Sequence, residues 1–137
     1  MGFPDSVSPF PRVRVESFSL TREIPESGTG CRLLDLRETG LFDSDARDDL
    51  RGRNGKDTEV FQYVLSSPTA YAVLERTCDQ VQALITCNTR WQLPVRILIG
   101  DERGRTRSVV IADMLTDILN ARGITAECLH HHLGASS

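Results

Sequence analysis

Val13, Val15 and Phe18 alternate with polar neighbours, the period-two pattern of a β-strand. The run Arg32-Leu33-Leu34-Asp35-Leu36 predicts a short buried strand that delivers Asp35 and Arg37 to its carboxyl edge. Val95-Arg96-Ile97-Leu98-Ile99, set off by Pro94, is the strongest strand pattern in the chain, and Ile124–Leu129 predicts a last one. Between them the period changes to that of a helix. Val60, Val64 and Leu65, with Phe61, form an apolar face that Asp57-Thr58 can cap and that ends near Ser66-Ser67-Pro68. Thr69 opens a longer helix carrying Val73, Leu74, Val81, Leu84 and Ile85. From Arg107, the residues Val110, Ile111, Met114, Leu115, Ile118 and Leu119 recur at helical spacing until Gly123, a C-terminal stop. Strands alternating with helices predict a single α/β domain, a small mainly parallel sheet with helices packed on it through right-handed crossovers.

The intervals between these elements set the boundaries. Pro4, Pro9 and Pro11 mark residues 1–12 as a flexible arm, the domain runs over 13–133, and 134–137 form a tail. Residues 22–30 read as a loop. The stretch 38–56 is the most polar part of the chain and has no apolar periodicity; so long a loop in a small domain is functional or disordered.

Composition narrows the classes. No run approaches the roughly 20 apolar residues of a membrane span, and the N-terminus has no signal-peptide pattern, so a cytoplasmic protein without membrane contact is expected. Cys31, Cys78, Cys87 and Cys128 form no C-x-x-C pair and read as mostly buried thiols in a reducing compartment. A net charge of -3 gives no global drive toward nucleic acid. Lys56 is the only lysine; the other cations are arginines, planar forks suited to phosphates and carboxylates.

The most informative chemistry lies after the strongest strand. In parallel sheets ligands bind beyond the carboxyl ends of strands. Here Gly100 to Thr106 form a polar loop containing Gly104, and Arg107 and Ser108 occupy the first turn of the following helix. Free N–H groups and the helix dipole favour an anion at that turn, and an arginine adds a charge-assisted contact. Arg103, Arg105 and Arg107 against Asp101 and Glu102 leave this stretch at 3 − 2 = +1, with the two acids repelling a phosphate unless they turn away or pair. The spacing is similar to the C-x5-R-S/T phosphate cradle of cysteine phosphatases, with Asp101 in place of the thiol, and a carboxylate is a poor substitute nucleophile. Walker A and G-x-G-x-x-G patterns are absent. No nucleophile and base set is evident, so a non-enzyme without cofactor is expected. Along a strand His130, His131 and His132 would alternate faces, so no metal site is expected from them. Trp91 and Tyr63 read as packing residues.

An ordered series of blocks resembles the C-terminal domain of the RNase adapter RapZ family. Val15-Glu16-Ser17-Phe18 resembles its opening strand, and Leu34-Asp35-Leu36-Arg37 its hydrophobic-Asp-x-Arg block. Asp49-Leu50-Arg51, then Gly55 and Asp57, is similar to its Glu-Leu-Arg…Thr-Gly-x-Asp block. Ile99-Gly100 through Gly104 and Arg107-Ser108-Val109 resembles its Gly-Cys-Thr-Gly-Gly-x-His-Arg-Ser-Val signature, and Arg122-Gly123 with a strand ending in histidine closes the match. In this chain Asp101, Glu102, Arg103 and Thr106 replace that signature's Cys, Thr, first following Gly and His. The resemblance implies sensing of an amino-sugar phosphate and contact with small RNA and an endoribonuclease. With no P-loop in these residues, nucleotide hydrolysis is not carried over.

The expected function is a small regulatory domain binding a phosphorylated metabolite. Its anion site would be built from Asp35, Arg37, Arg51, Gly55, Asp57, Gly100, Gly104, Arg105, Thr106, Arg107 and Ser108. The alternatives are an RNA-binding adapter, using arginines 47, 51, 53, 103, 105 and 107 as a basic face, and a ligand-free interaction module that forms a homodimer.

Overall fold

The computed structural model describes residues 12–26, 31–88 and 95–133. They form strands β1 (Val13–Ser19), β2 (Cys31–Asp35), β3 (Val95–Asp101) and β4 (Ala126–His130), and helices α1 (Thr58–Leu65), α2 (Ala70–Asn88) and α3 (Arg107–Ala121). The sheet order is β2-β3-β1-β4, and every neighbouring pair is parallel. Every strand and helix expected from the pattern is present.

The register explains the burial. Val13, Val15, Val95, Ile97 and Ile99 project to the face that the helices cover, and all are fully buried. They meet Val110, Ile111, Leu115 and Leu119 of α3, Leu74, Cys78 and Val81 of α2, and Val60 and Val64 of α1. On the opposite face Glu16 is buried and pairs with Arg96 at 2.7 Å and with His131 Nε2 at 2.7 Å. Burial pushes the Glu16 carboxyl up, but hydrogen bonds from Arg96 and His131 outweigh it and hold the group below its ordinary value of 4.5.

Three expectations need correction. β2 is not a buried strand: it lies at the sheet edge, where Arg32 and Leu33 are exposed, and only Leu36 just beyond it is fully buried. Polar residues 38–56 are not without packing, since Leu41 and Leu50 insert into the core and Asp43 caps a short 3-10 turn, Ser44–Ala46. The cysteines are not mostly buried: all four are free, Cys78 is buried, Cys31 and Cys128 are half-buried and Cys87 is exposed. Of the expected N-terminal arm, only Arg12 is within the described residues; its N–H donates to Thr125 O at 2.8 Å. Trp91 and the tail 134–137 lie outside them. Among the described residues, no helix is long and apolar enough to cross a membrane.

Gly104 has φ +71°, and a Cβ there would stand 2.6 Å from the Phe18 carbonyl carbon and the Ser19 nitrogen. Gly52 has φ +83° with open space around it. Gly104→Ala should therefore cost about 3 kcal/mol or more, and Gly52→Ala only about 1 kcal/mol, in chemical denaturation. Equal losses would remove the steric argument. The Glu16 contribution is present above about pH 4.5 and is lost as pH falls through its lower folded value. Stability should therefore decline on acidification through that window, and Glu16→Gln should flatten the decline.

Candidate functional site

The β3–α3 connection is built around Asp101, the last residue of β3, which is 1% exposed. Its carboxylate accepts hydrogen bonds from the N–H of Ser108 at 3.0 Å, from Thr106 Oγ1 at 3.4 Å and from the N–H of Gly104. Thr106 occupies the N-cap position of α3 but makes no side-chain cap bond. The cap comes instead from the preceding strand. The Ser108 N–H, expected to meet an external anion, is thus occupied by the chain's own carboxylate. Asp101 is tethered beside the turn and carries the charge that the turn favours.

Beside this turn is a cleft of about 120 Å³, lined by Asp43, Asp45, Asp101, Glu102, Arg103, Thr106 and Arg107. Arg107 is only 7% exposed. Its ion-pair neighbour is the exposed Glu102 at 3.7 Å, and its Nε has no hydrogen-bond partner. Ser108 Oγ and Arg105 Nε are likewise buried and unpartnered.

The remaining predicted residues make other contacts. Asp35 and Arg37 form a bidentate pair, 2.7 Å at its closest, at the end of β2. The Arg37 hydrogen bonds hold the Asp35 carboxyl below its usual range against a smaller effect of burial, and Arg107 adds to the lowering. Arg51 pairs with Asp48 at 2.8 Å and donates to the Asp45 carbonyl at 3.2 Å, so it steadies one wall without lining it. Asp57 caps α1 through the N–H groups of Glu59 and Val60. The Gly55 N–H donates to Arg105 O at 2.7 Å, and a Cβ there would meet Val109 at 2.8 Å, so Gly55 docks the polar loop onto the β3–α3 turn. Gly100 is a packing contact, where a Cβ would meet Leu20 and Phe18. The structure brings Thr106 and Arg107 into the cleft; Asp35, Arg37, Arg51, Gly55, Asp57, Gly100, Gly104, Arg105 and Ser108 are not among its lining residues.

Asp43 and Asp45 were missed by the sequence reading. Their signal was Asp-Ser-Asp, the first Asp capping its own turn by accepting from the Asp45 N–H at 2.9 Å. Within the supposed basic face, the arginines of the polar loop are paired with acids. Arg47 pairs with Asp49 at 2.6 Å and lies 4.8 Å over the Tyr63 ring, and Arg53 reaches Glu59 at 2.8 Å. Tyr63 also packs against Phe42. The three histidines diverge: His130 faces Asp113, His131 faces Glu16, and His132 Nδ1 accepts the Ser19 N–H at 2.8 Å. Ser17, His130 and Asp113 stand in series, but Ser17 is fully buried and cannot present a nucleophile to a substrate.

A family model described as the RapZ C-terminal domain matches residues 11–134. A protein of Novosphingobium aromaticivorans named "Nucleotide-binding protein" is 27% identical over 124 residues, 90% of this chain and 39% of that protein. Two proteins of the same name show comparable similarity. That of Nitratidesulfovibrio vulgaris is 28% identical over 125 residues, 89% of this chain and 39% of its own. That of Desulfovibrio desulfuricans is 34% identical over 86 residues, 62% and 28% of the two chains. The chain therefore spans less than two-fifths of the length of each of these relatives.

Removing the internal anion provides a test of the turn. Asp101→Ala leaves two buried N–H groups unpaired and should destabilise the protein by about 1–3 kcal/mol in anion-free buffer. Added sulfate should then raise the thermal midpoint of the variant more than that of the wild type, by occupying the vacated position. An identical response of both proteins would count against an anion-ready turn.

Proposed function

We propose, from the premise that this chain belongs to the RapZ C-terminal domain family, that it is a regulatory binding domain taking a small phosphorylated metabolite in the cleft beside the β3–α3 turn. The supporting observation is Arg107, a buried guanidinium whose Nε has no partner and whose acidic neighbour is exposed and 3.7 Å away. A buried N–H left without a partner costs about 1–3 kcal/mol, and an entering phosphate oxygen would relieve that cost.

The lining narrows the ligand. Two arginines against four carboxylates leave 2 − 4 = −2, unfavourable to a ligand that is only anionic. In this reading Arg107, with Arg103 at the rim, takes the phosphate, while Asp43 and Asp45 take hydroxyls or an amine. An amino-sugar phosphate satisfies both halves. The relatives' shared name attributes nucleotide binding to those longer proteins, but about 120 Å³ is small beside the roughly 300–1,000 Å³ of sites for larger ligands. A single sugar phosphate fits this cleft better than a nucleotide. The RNA-adapter reading has less support, because Arg47, Arg51 and Arg53 are already neutralised by acids.

Calorimetry with a hexosamine phosphate, the matching neutral sugar phosphate and inorganic phosphate tests the assignment. Arg107→Ala should weaken the hexosamine phosphate about 10–100-fold, the equivalent of losing a charge-assisted contact worth about 1.5–3 kcal/mol. The neutral sugar phosphate should bind less tightly than the amine. Equal heats in wild type and Arg107→Ala would remove Arg107 from the site.

A further inference from the structure

Three histidines adjacent in sequence predict no metal site, yet the fold brings one of them to a cysteine and an aspartate from elsewhere in the chain. Asp113 lies on α3 and faces β4, where Cys128 and His130 are two residues apart and so share one side of the strand. One ligand atom from each of the three lies within 4.8 Å of the others, and all three residues are half-buried. His130 Nε2 stands 2.9 Å from Asp113 Oδ1 and 3.6 Å from Cys128 Sγ. Tetrahedral zinc, with N and O at about 2.0–2.1 Å and S at about 2.3 Å, requires ligand atoms roughly 3.3–3.8 Å apart. The His130–Cys128 separation lies in that range, the His130–Asp113 one is shorter by a few tenths of an ångström, and the Asp113–Cys128 one is within 4.8 Å.

We propose that Asp113, Cys128 and His130 form a site for a borderline divalent cation of the zinc type, distinct from the phosphate cleft. The surroundings support this assignment. His130 Nδ1 lies 2.6 Å from Ser17 Oγ, a fully buried hydroxyl. In the metal-free chain His130 Nε2–H donates to Asp113 Oδ1. On binding, the ring proton shifts to Nδ1, which donates to Ser17, and the freed Nε2 lone pair faces the ion, as ligating histidines are commonly oriented. Lys56 Nζ holds the other Asp113 oxygen at 2.8 Å, which leaves Oδ1 as the available, monodentate ligand. An ionised Asp113 and Cys128 with neutral His130 supply two negative charges for a doubly charged ion. When the metal–sulfur bond forms, the Cys128 S–H bond breaks and its proton passes to solvent. Three protein ligands leave a fourth position open to water or another donor, the pattern of an exchangeable rather than a closed structural site.

Titration of the metal-free chain with Co²⁺, followed by absorption, tests the proposal. The expected result is a thiolate-to-cobalt charge-transfer band that saturates at a single equivalent and is displaced by Zn²⁺. Cys128→Ser should abolish the band, and Cys31→Ser/Cys87→Ser should retain it. His131→Gln/His132→Gln should also retain it, which separates the cluster from adventitious binding by the histidine run. Ser17→Ala should keep the band but weaken affinity about 10–100-fold, as loss of an outer partner does. Asp113→Asn, which preserves volume, should weaken it at least as much and keeps the test decisive if Cys128→Ser unfolds in circular-dichroism melts. No band in the wild type, a band surviving in Cys128→Ser, or one lost with His131 and His132 overturns the site. None of these outcomes bears on Arg107 or its ligand.

Discussion

The seating of the Asp101 carboxylate on the N-terminal turn of α3 holds the β3–α3 end of this domain together. It joins the last residue of the central strand β3 to the Gly104 and Ser108 N–H groups and the Thr106 hydroxyl, all buried. Without it, the first turn of α3 would enter the core with donors unpaired, because Thr106 does not cap its own helix. The position of Arg107 follows: it is the first residue of the helix that Asp101 fixes. The polar loop then packs onto the same turn through Gly55 and Arg105, bringing Asp43 and Asp45 across from the guanidinium. Cleft, cap and loop are thus one arrangement built on a single internal ion.

The fold was legible in the sequence because its strands and helices bury residues at clean periods. The α3 pattern and the Val95–Ile99 run specified their own element types, and Asp57-Thr58 marked the start of a helix that begins at Thr58. β2 was misjudged for a physical reason: Leu33 and Leu34 look like core residues, but strand order, which no local pattern encodes, puts them at an edge. Leu41 and Leu50 were similarly hidden, since isolated anchors in a polar loop have no period.

The candidate site was less legible. Arg107 could be identified from its place after a strand, but a carboxylate at position 101 carries no mark of whether it faces a ligand or its own backbone. Asp57, Gly55 and Arg51 were expected as walls of the anion pocket, and the structure gives them a cap, a packing contact and a brace. Asp113, Cys128 and His130 were invisible as a group because their proximity depends on α3 lying against β4. The histidine triplet drew attention to adjacency in sequence, whereas proximity in space selected only one of its members.

The parallel sheet also constrains how the domain is made. β1 sits inside the sheet, with Val13 paired to both Val95 and Ala126. Within this domain β1 is therefore made before either of its neighbours, and those two, β3 and β4, are the last strands of the domain to be made. Pairings between residues so distant in sequence are slow to form. Until they form, the alternating apolar side of Val13–Ser19 is exposed to any other strand nearby, so the nascent chain is most vulnerable to mispairing at the segment that becomes one of its best buried.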